Sequence, residues 1–106
     1  MTGNRIGQIV VIFVSQRSGV DAEGYAAAAA AMDALAAEQP GYCGVDHVSR
    51  DGLGVTLSYW ADEASAVAWR EHPEHSATRE AGRALWYDWY VLHVAAIERS
   101  YRWTRA

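Results

Sequence analysis

IGQIVVIFVSQ, residues 6–16, is dominated by β-branched side chains and is short for a helix, so it is predicted to be a strand. A strand buried on one side alternates apolar with polar residues. Here Ile9, Val11 and Phe13 make one face apolar, and Val10, Ile12 and Val14 do the same for the other. Both faces therefore need a cover.

Downstream, Ser18-Gly19-Val20 breaks the strand, and Asp21 is placed to cap a helix with Glu23 in its first turn. Tyr25, Ala28, Met32 and Leu35 recur at helical spacing, and the run Ala26 to Ala31 adds high helix propensity. Gln39-Pro40-Gly41 ends that helix. Tyr42 to Arg50 and Leu53 to Trp60 read as strands joined by the hairpin signal Asp51-Gly52. Asp62 caps a second helix expected to reach His72, with Ala66 and Trp69 on its buried side. Pro73 is disfavoured inside a helix but suits a first turn, so it starts another helix, expected to reach Asp88. On that helix His75, Arg79, Gly82 and Trp86 share a face. Tyr90 to Trp103 is predicted as the last strand.

Strand, helix, strand, strand, helix pair, strand is the α+β, ferredoxin-like βαββαβ order, built on a four-stranded antiparallel sheet. Helices cover one face of such a sheet. The apolar residues left on the other face call for a second copy, so a homodimer joined through the sheet face is expected.

Composition narrows the function. The chain has 106 residues, of which 51% are hydrophobic and 21% charged, which suits one packed domain over residues 1–106 and excludes a disordered tail. Net charge is -4 and the nine basic residues, all Arg, are scattered, which argues against nucleic acid as a partner. A lone cysteine, Cys43, leaves no internal disulfide framework and no cysteine-based metal site. No apolar run approaches the roughly 20 residues that span a bilayer. The first residues lack the pattern of a signal peptide, so a cytoplasmic protein away from membranes is expected. Five Trp and six Tyr stand against one Phe, a bias toward side chains that suit interfaces and ligand pockets.

Five stretches carry a family resemblance: Gln39-Pro40-Gly41-Tyr42, Gly54-Val55-Thr56-Leu57-Ser58-Tyr59-Trp60, Ala68-Trp69-Arg70-Glu71-His72-Pro73-Glu74-His75, Gly82-Arg83-Ala84-Leu85-Trp86-Tyr87 and Val94-Ala95-Ala96-Ile97-Glu98-Arg99-Ser100-Tyr101. Together they resemble the antibiotic biosynthesis monooxygenase family over Ile9 to Trp103. The resemblance implies a dimeric α/β barrel with a ligand cavity between each sheet and its helices. It implies, too, oxidation of an aromatic molecule by oxygen without metal, flavin or haem. Another branch of the family degrades haem, and its pattern has a Trp in the second helical region, a His ten residues later and an Asn in the first strand. Trp69 fits, but Arg79 occupies the second place and the first strand has no Asn. That leaves His72 or His75 as the only substitute haem ligands on offer near this Trp.

The candidate site residues follow from chemistry. His75, with His72 as second choice, is the candidate base, because imidazole titrates near working pH. The plainer reading has His72 capping the helix before Pro73 and His75 facing the cavity mouth. Arg79 on an inward stripe needs a partner, either a carboxylate such as Glu98 or the phenolate or enolate of a ligand. Trp60, Trp69, Trp86 and Tyr59 are candidate walls of an aromatic cavity, though any one of them alone would serve as core. Two neighbouring His without a third ligand make no metal site. The expectation is therefore a cofactor-independent monooxygenase for an aromatic or polyphenolic small molecule. The alternatives are a dimeric ligand-binding or stress-related protein without chemistry, and a haem-degrading monooxygenase.

Overall fold

A computed structural model describes residues 4–106. Its elements are β1 (Ile9–Arg17), α1 (Ala22–Ala37), β2 (Tyr42–Arg50), β3 (Leu53–Trp60), α2 (Glu63–Arg70), α3 (Pro73–Ala81), a π-helical turn (Gly82–Trp86) and β4 (Tyr87–Ala96). The strands form one antiparallel sheet in the order β2-β3-β1-β4, the ferredoxin-like arrangement expected from the sequence.

Local chemistry sets the boundaries. The Asp21 carboxylate accepts the Gly24 N–H at 3.1 Å and opens α1. Asp62 and Ser65 cap α2 reciprocally, the Ser65 N–H reaching Asp62 at 2.8 Å. Those bonds favour the charged carboxylate and hold Asp62 below the ordinary carboxylate range. Pro73 stands in the first turn of α3, and His72 Nδ1 accepts the Glu74 N–H at 3.2 Å, so His72 does cap that helix. Asp51 and Gly52 have φ of 52° and 84°, the left-handed pair that a two-residue hairpin turn requires.

Several boundaries differ from expectation. The helix predicted to reach Asp88 is α-helical only to Ala81 and then widens into the π turn, which delivers Tyr87 straight into the sheet. The last strand accordingly starts at Tyr87 rather than Tyr90. It ends at Ala96 rather than Trp103, because Ala96 lies opposite Ile9, where β1 itself begins; beyond it Ile97 bonds back, accepting from the Gly7 N–H and donating to the Gln8 carbonyl.

Residues directly opposite each other in the ladder share a face. One face carries Val11, Phe13, Ser15 and Arg17 of β1, Trp60, Ser58, Thr56 and Gly54 of β3, and Tyr90 and Tyr87 of β4. All ring contacts between helices and sheet lie on this side: Trp60 against Trp69 of α2, and Tyr87 against Tyr25 of α1. The other face carries Val10, Ile12, Val14, Val55, Leu57 and Val91, and it has no helical cover. The molecule is accordingly a slab 21 Å thin. Its radius of gyration is 14.6 Å, against about 13 Å for a compact chain of this length.

Candidate functional site

Beneath α2 and α3 three rings are stacked. Trp60, at the end of β3, is fully buried and packs against Trp69 with centroids 6.2 Å apart. Trp69 in turn stacks on His75, nearly parallel at 8°, with centroids 4.5 Å apart. His72 lies 5.6 Å from the same indole in a tilted arrangement. Sequence spacing explains the grouping: Trp69 and His75 are brought together by the chain reversal at His72-Pro73, where α2 gives way to α3.

The tautomer of His75 follows from its partner. Its Nδ1 sits 3.1 Å from the Trp69 carbonyl oxygen. A carbonyl can only accept, so Nδ1 carries the proton and the neutral ring keeps its lone pair on Nε2. Burial lowers the pKa of His75 from its ordinary 6.5, and the charges of Arg79 and His72 push the same way against the carbonyl bond. His75 is therefore a neutral base at physiological pH. The linkage has a definite sign: between the lowered native value and 6.5 the unfolded chain binds a proton that the native chain refuses. Stability is complete above that window and falls as pH drops through it. Urea unfolding at about pH 7.5 and about pH 5.5 should show a loss on acidification that His75→Gln reduces, with an unchanged loss overturning the assignment.

Arg79 has no carboxylate within salt-bridge distance among the described residues, so the expected pairing with Glu98 is not formed. Its guanidinium instead donates to the Arg70 carbonyl and the Ser76 hydroxyl, both at 3.3 Å. Neither partner neutralises it. The arginine keeps a net positive charge one helical turn from His75.

The remaining two candidates lie elsewhere. Tyr59, expected to line a cavity with Trp60, faces the opposite side of the sheet, because consecutive strand residues alternate. There its hydroxyl donates to Asp46 at 2.8 Å and the Arg5 guanidinium lies 3.7 Å above its ring. Burial and the Asp46 bond raise its pKa. Trp86 is at the other end of β1, next to Tyr25, and its indole N–H donates to Asp21 at 3.3 Å. A groove of about 460 Å³ opens at that end, lined by Arg17, Tyr25, Ala22, Gly52, Asp51 and Trp86 among others. Of the predicted residues only Trp86 borders it. Arg17 was not among the sequence candidates, although the two-residue period from Phe13 through Ser15 carries it onto the helix-side face.

No group of three or more His, Cys, Asp and Glu among the described residues is arranged to hold a metal, and no described helix is long and apolar enough to cross a membrane.

The family model described as antibiotic biosynthesis monooxygenase matches residues 8–81. The chain belongs to this family. The uncharacterised protein YqjZ of Bacillus subtilis is 46% identical to this chain over 90 residues, covering 84% of this chain and 78% of that protein. Among solved structures, SnoaB, a cofactor-independent oxygenase from Streptomyces nogalater, superposes with a TM-score of 0.75 at 19% identity, covering 88% of this chain and 95% of SnoaB. Rv0793 from Mycobacterium tuberculosis gives the same TM-score at 16% identity, with 85% and 94% covered. The family match takes in the stacked rings and Arg79, and stops short of Trp86.

Proposed function

We propose that this chain is a cofactor-independent monooxygenase that oxidises an aromatic or polyphenolic small molecule, working as a homodimer joined through its open sheet face. The observation that carries the chemistry is His75, held neutral with its free lone pair on Nε2 beside an Arg79 that has no carboxylate partner. Membership of a monooxygenase family and the fold shared with SnoaB, an oxygenase that needs no cofactor, support the same reading.

The substrate would be its own reductant. His75 removes a proton from an activated CH2 flanked by phenolic rings, and Arg79 stabilises the resulting enolate. The anion passes one electron to O2, and the two radicals combine into a hydroperoxide at that carbon. Loss of water then leaves a carbonyl, so that AH2 + O2 gives AO + H2O. Trp69, backed by the buried Trp60, stacks on the imidazole and holds it in orientation.

The dimer answers a shortage of core. Among the described residues only Tyr59, Trp60, Ala66 and Trp86 are buried hydrophobics, while Val48, Leu53, Trp89 and Val91 stand exposed on the uncovered face. A second sheet laid against that face would hide them.

Oxygen consumption with an anthrone as substrate tests the catalytic reading. His75→Gln is expected to lower turnover by about 10²–10⁴-fold, the usual worth of a positioned base. Arg79→Ala should lower kcat more than it raises KM, because the enolate exists only after proton removal. Equal turnover in wild type and both variants would overturn the assignment. Anthrone-dependent thermal stabilisation without oxygen uptake would identify a binding protein instead, and a Soret shift on haem titration a haem-degrading one.

A further inference from the structure

We infer that the groove at the far end of β1 is a binding site for a flat aromatic carboxylate, separate from the His75 cluster and not dependent on the oxygenation reading. The groove combines a cation and aromatic walls, and a polar recess lies further along the same strand.

The cation is Arg17. Its guanidinium lies 4.9 Å from the centroid of the Tyr25 ring, and no carboxylate among the described residues lies within salt-bridge distance of it. A guanidinium offers five N–H donors in a plane suited to a carboxylate, and its cation–π contact with Tyr25 helps hold it in place for one. The acids nearby are already engaged. Asp21 accepts from the Gly24 N–H and the Trp86 indole, and Asp51 extends from the hairpin tip toward Arg50 at 3.9 Å. The walls are Tyr25 and Trp86, which meet edge to face with centroids 6.1 Å apart.

The recess lies two residues back along the same face of β1. Ser15 is a polar residue only 4% exposed, and its hydroxyl still touches open space rather than being sealed in the core. Opposite it, Gly54 leaves out a side chain. A methyl group there would sit 3.7 Å from Ser15 Oγ and 3.6 Å from His47 Cε1, so the space between them is of atomic size and unfilled. His47 is itself fixed by Thr56, Nδ1 to Oγ1 at 2.7 Å. A ligand hydroxyl or carbonyl reaching the recess would find the Ser15 hydroxyl as a hydrogen-bond partner. The complementary ligand has a carboxylate at Arg17, a ring along Tyr25 and Trp86, and a polar substituent toward Ser15.

Titrating the full chain with 6-hydroxy-2-naphthoate, followed by tryptophan fluorescence and saturation-transfer NMR, tests this. Saturable binding is expected, weakened about tenfold or more by Arg17→Gln, the scale of one charge-assisted hydrogen-bond pair. Gly54→Ala meets only ordinary contacts, so it should melt like wild type yet bind more weakly because its methyl fills the recess. The neutral relative 6-hydroxy-2-naphthalenemethanol should bind wild type and Arg17→Gln alike. His75→Gln should bind the carboxylate as wild type does, which keeps this result separate from the fate of the oxygenase reading. Absence of saturable binding, or equal affinity in wild type and Arg17→Gln, overturns the site; equal affinity in a normally folded Gly54→Ala overturns the recess.

Discussion

Trp60→Ala is expected to cost about 3–5 kcal/mol, more than any other single truncation in this chain. Among the described residues Trp60 is the one large side chain with no exposed surface, and it joins three partners: Trp69 of α2, Tyr42 of β2 and, through its indole N–H, Ser58 at 3.1 Å. Removing it leaves a cavity that strand and helix cannot both collapse into, and releases α2 from the sheet. Against a total stability of about 5–15 kcal/mol the loss is large. At about 4–8 °C per kcal/mol for a domain of this size, the melting temperature should fall by tens of degrees. Trp89→Ala supplies the contrast: that side chain is 48% exposed on the uncovered face, and its loss should barely move the unfolding of a separated subunit. A Trp60→Ala protein that melts within a few degrees of wild type would show that the stacked rings do not anchor α2.

Ile12→Asp should convert the proposed dimer into separate subunits. Ile12 lies at the middle of β1 on the open face, between Leu57 of β3 and His93 of β4. In the isolated subunit it is only half-buried, so a carboxylate there can reach water and the fold survives. In the dimer two such charges would be driven under the opposing sheet, and a desolvated unpaired carboxylate is penalised by several kcal/mol. Sedimentation velocity at micromolar protein should show a two-fold drop in mass for the variant, with unchanged far-UV circular dichroism. A wild type that already sediments as one chain, or a variant that remains paired, would remove the open face from the interface.

The doubly apolar pattern of Ile9 to Val14 was enough to read β1 as a strand with two faces to cover, and Asp21, Asp62, Pro73 and Asp51-Gly52 marked turns and helix starts because each acts through its nearest neighbours in the chain. The passage from Gly82 to Tyr87 was not readable. A π turn has no residue signature of its own, and the start of β4 depends on where the chain meets Arg17 across a bulge. Tyr59 was grouped with Trp60 for its aromatic character, whereas strand alternation puts the two on opposite faces of the sheet. The pairing of Trp69 with His75 rests on the reversal at Pro73, so the residues were legible while their stacking was not. Arg17, Ser15, His47 and Gly54 come from three strands, and only the ladder register brings them side by side.

β4 has a neighbour on one side only, and from Trp89 to Ala96 it bears no acid, no arginine and no proline. Such a margin is an open template for strands of other molecules, and proteins usually blunt it with charge. Heated or concentrated preparations should therefore clump along this rim into β-rich aggregates, and a lysine placed outward in that stretch would be the simplest guard against it.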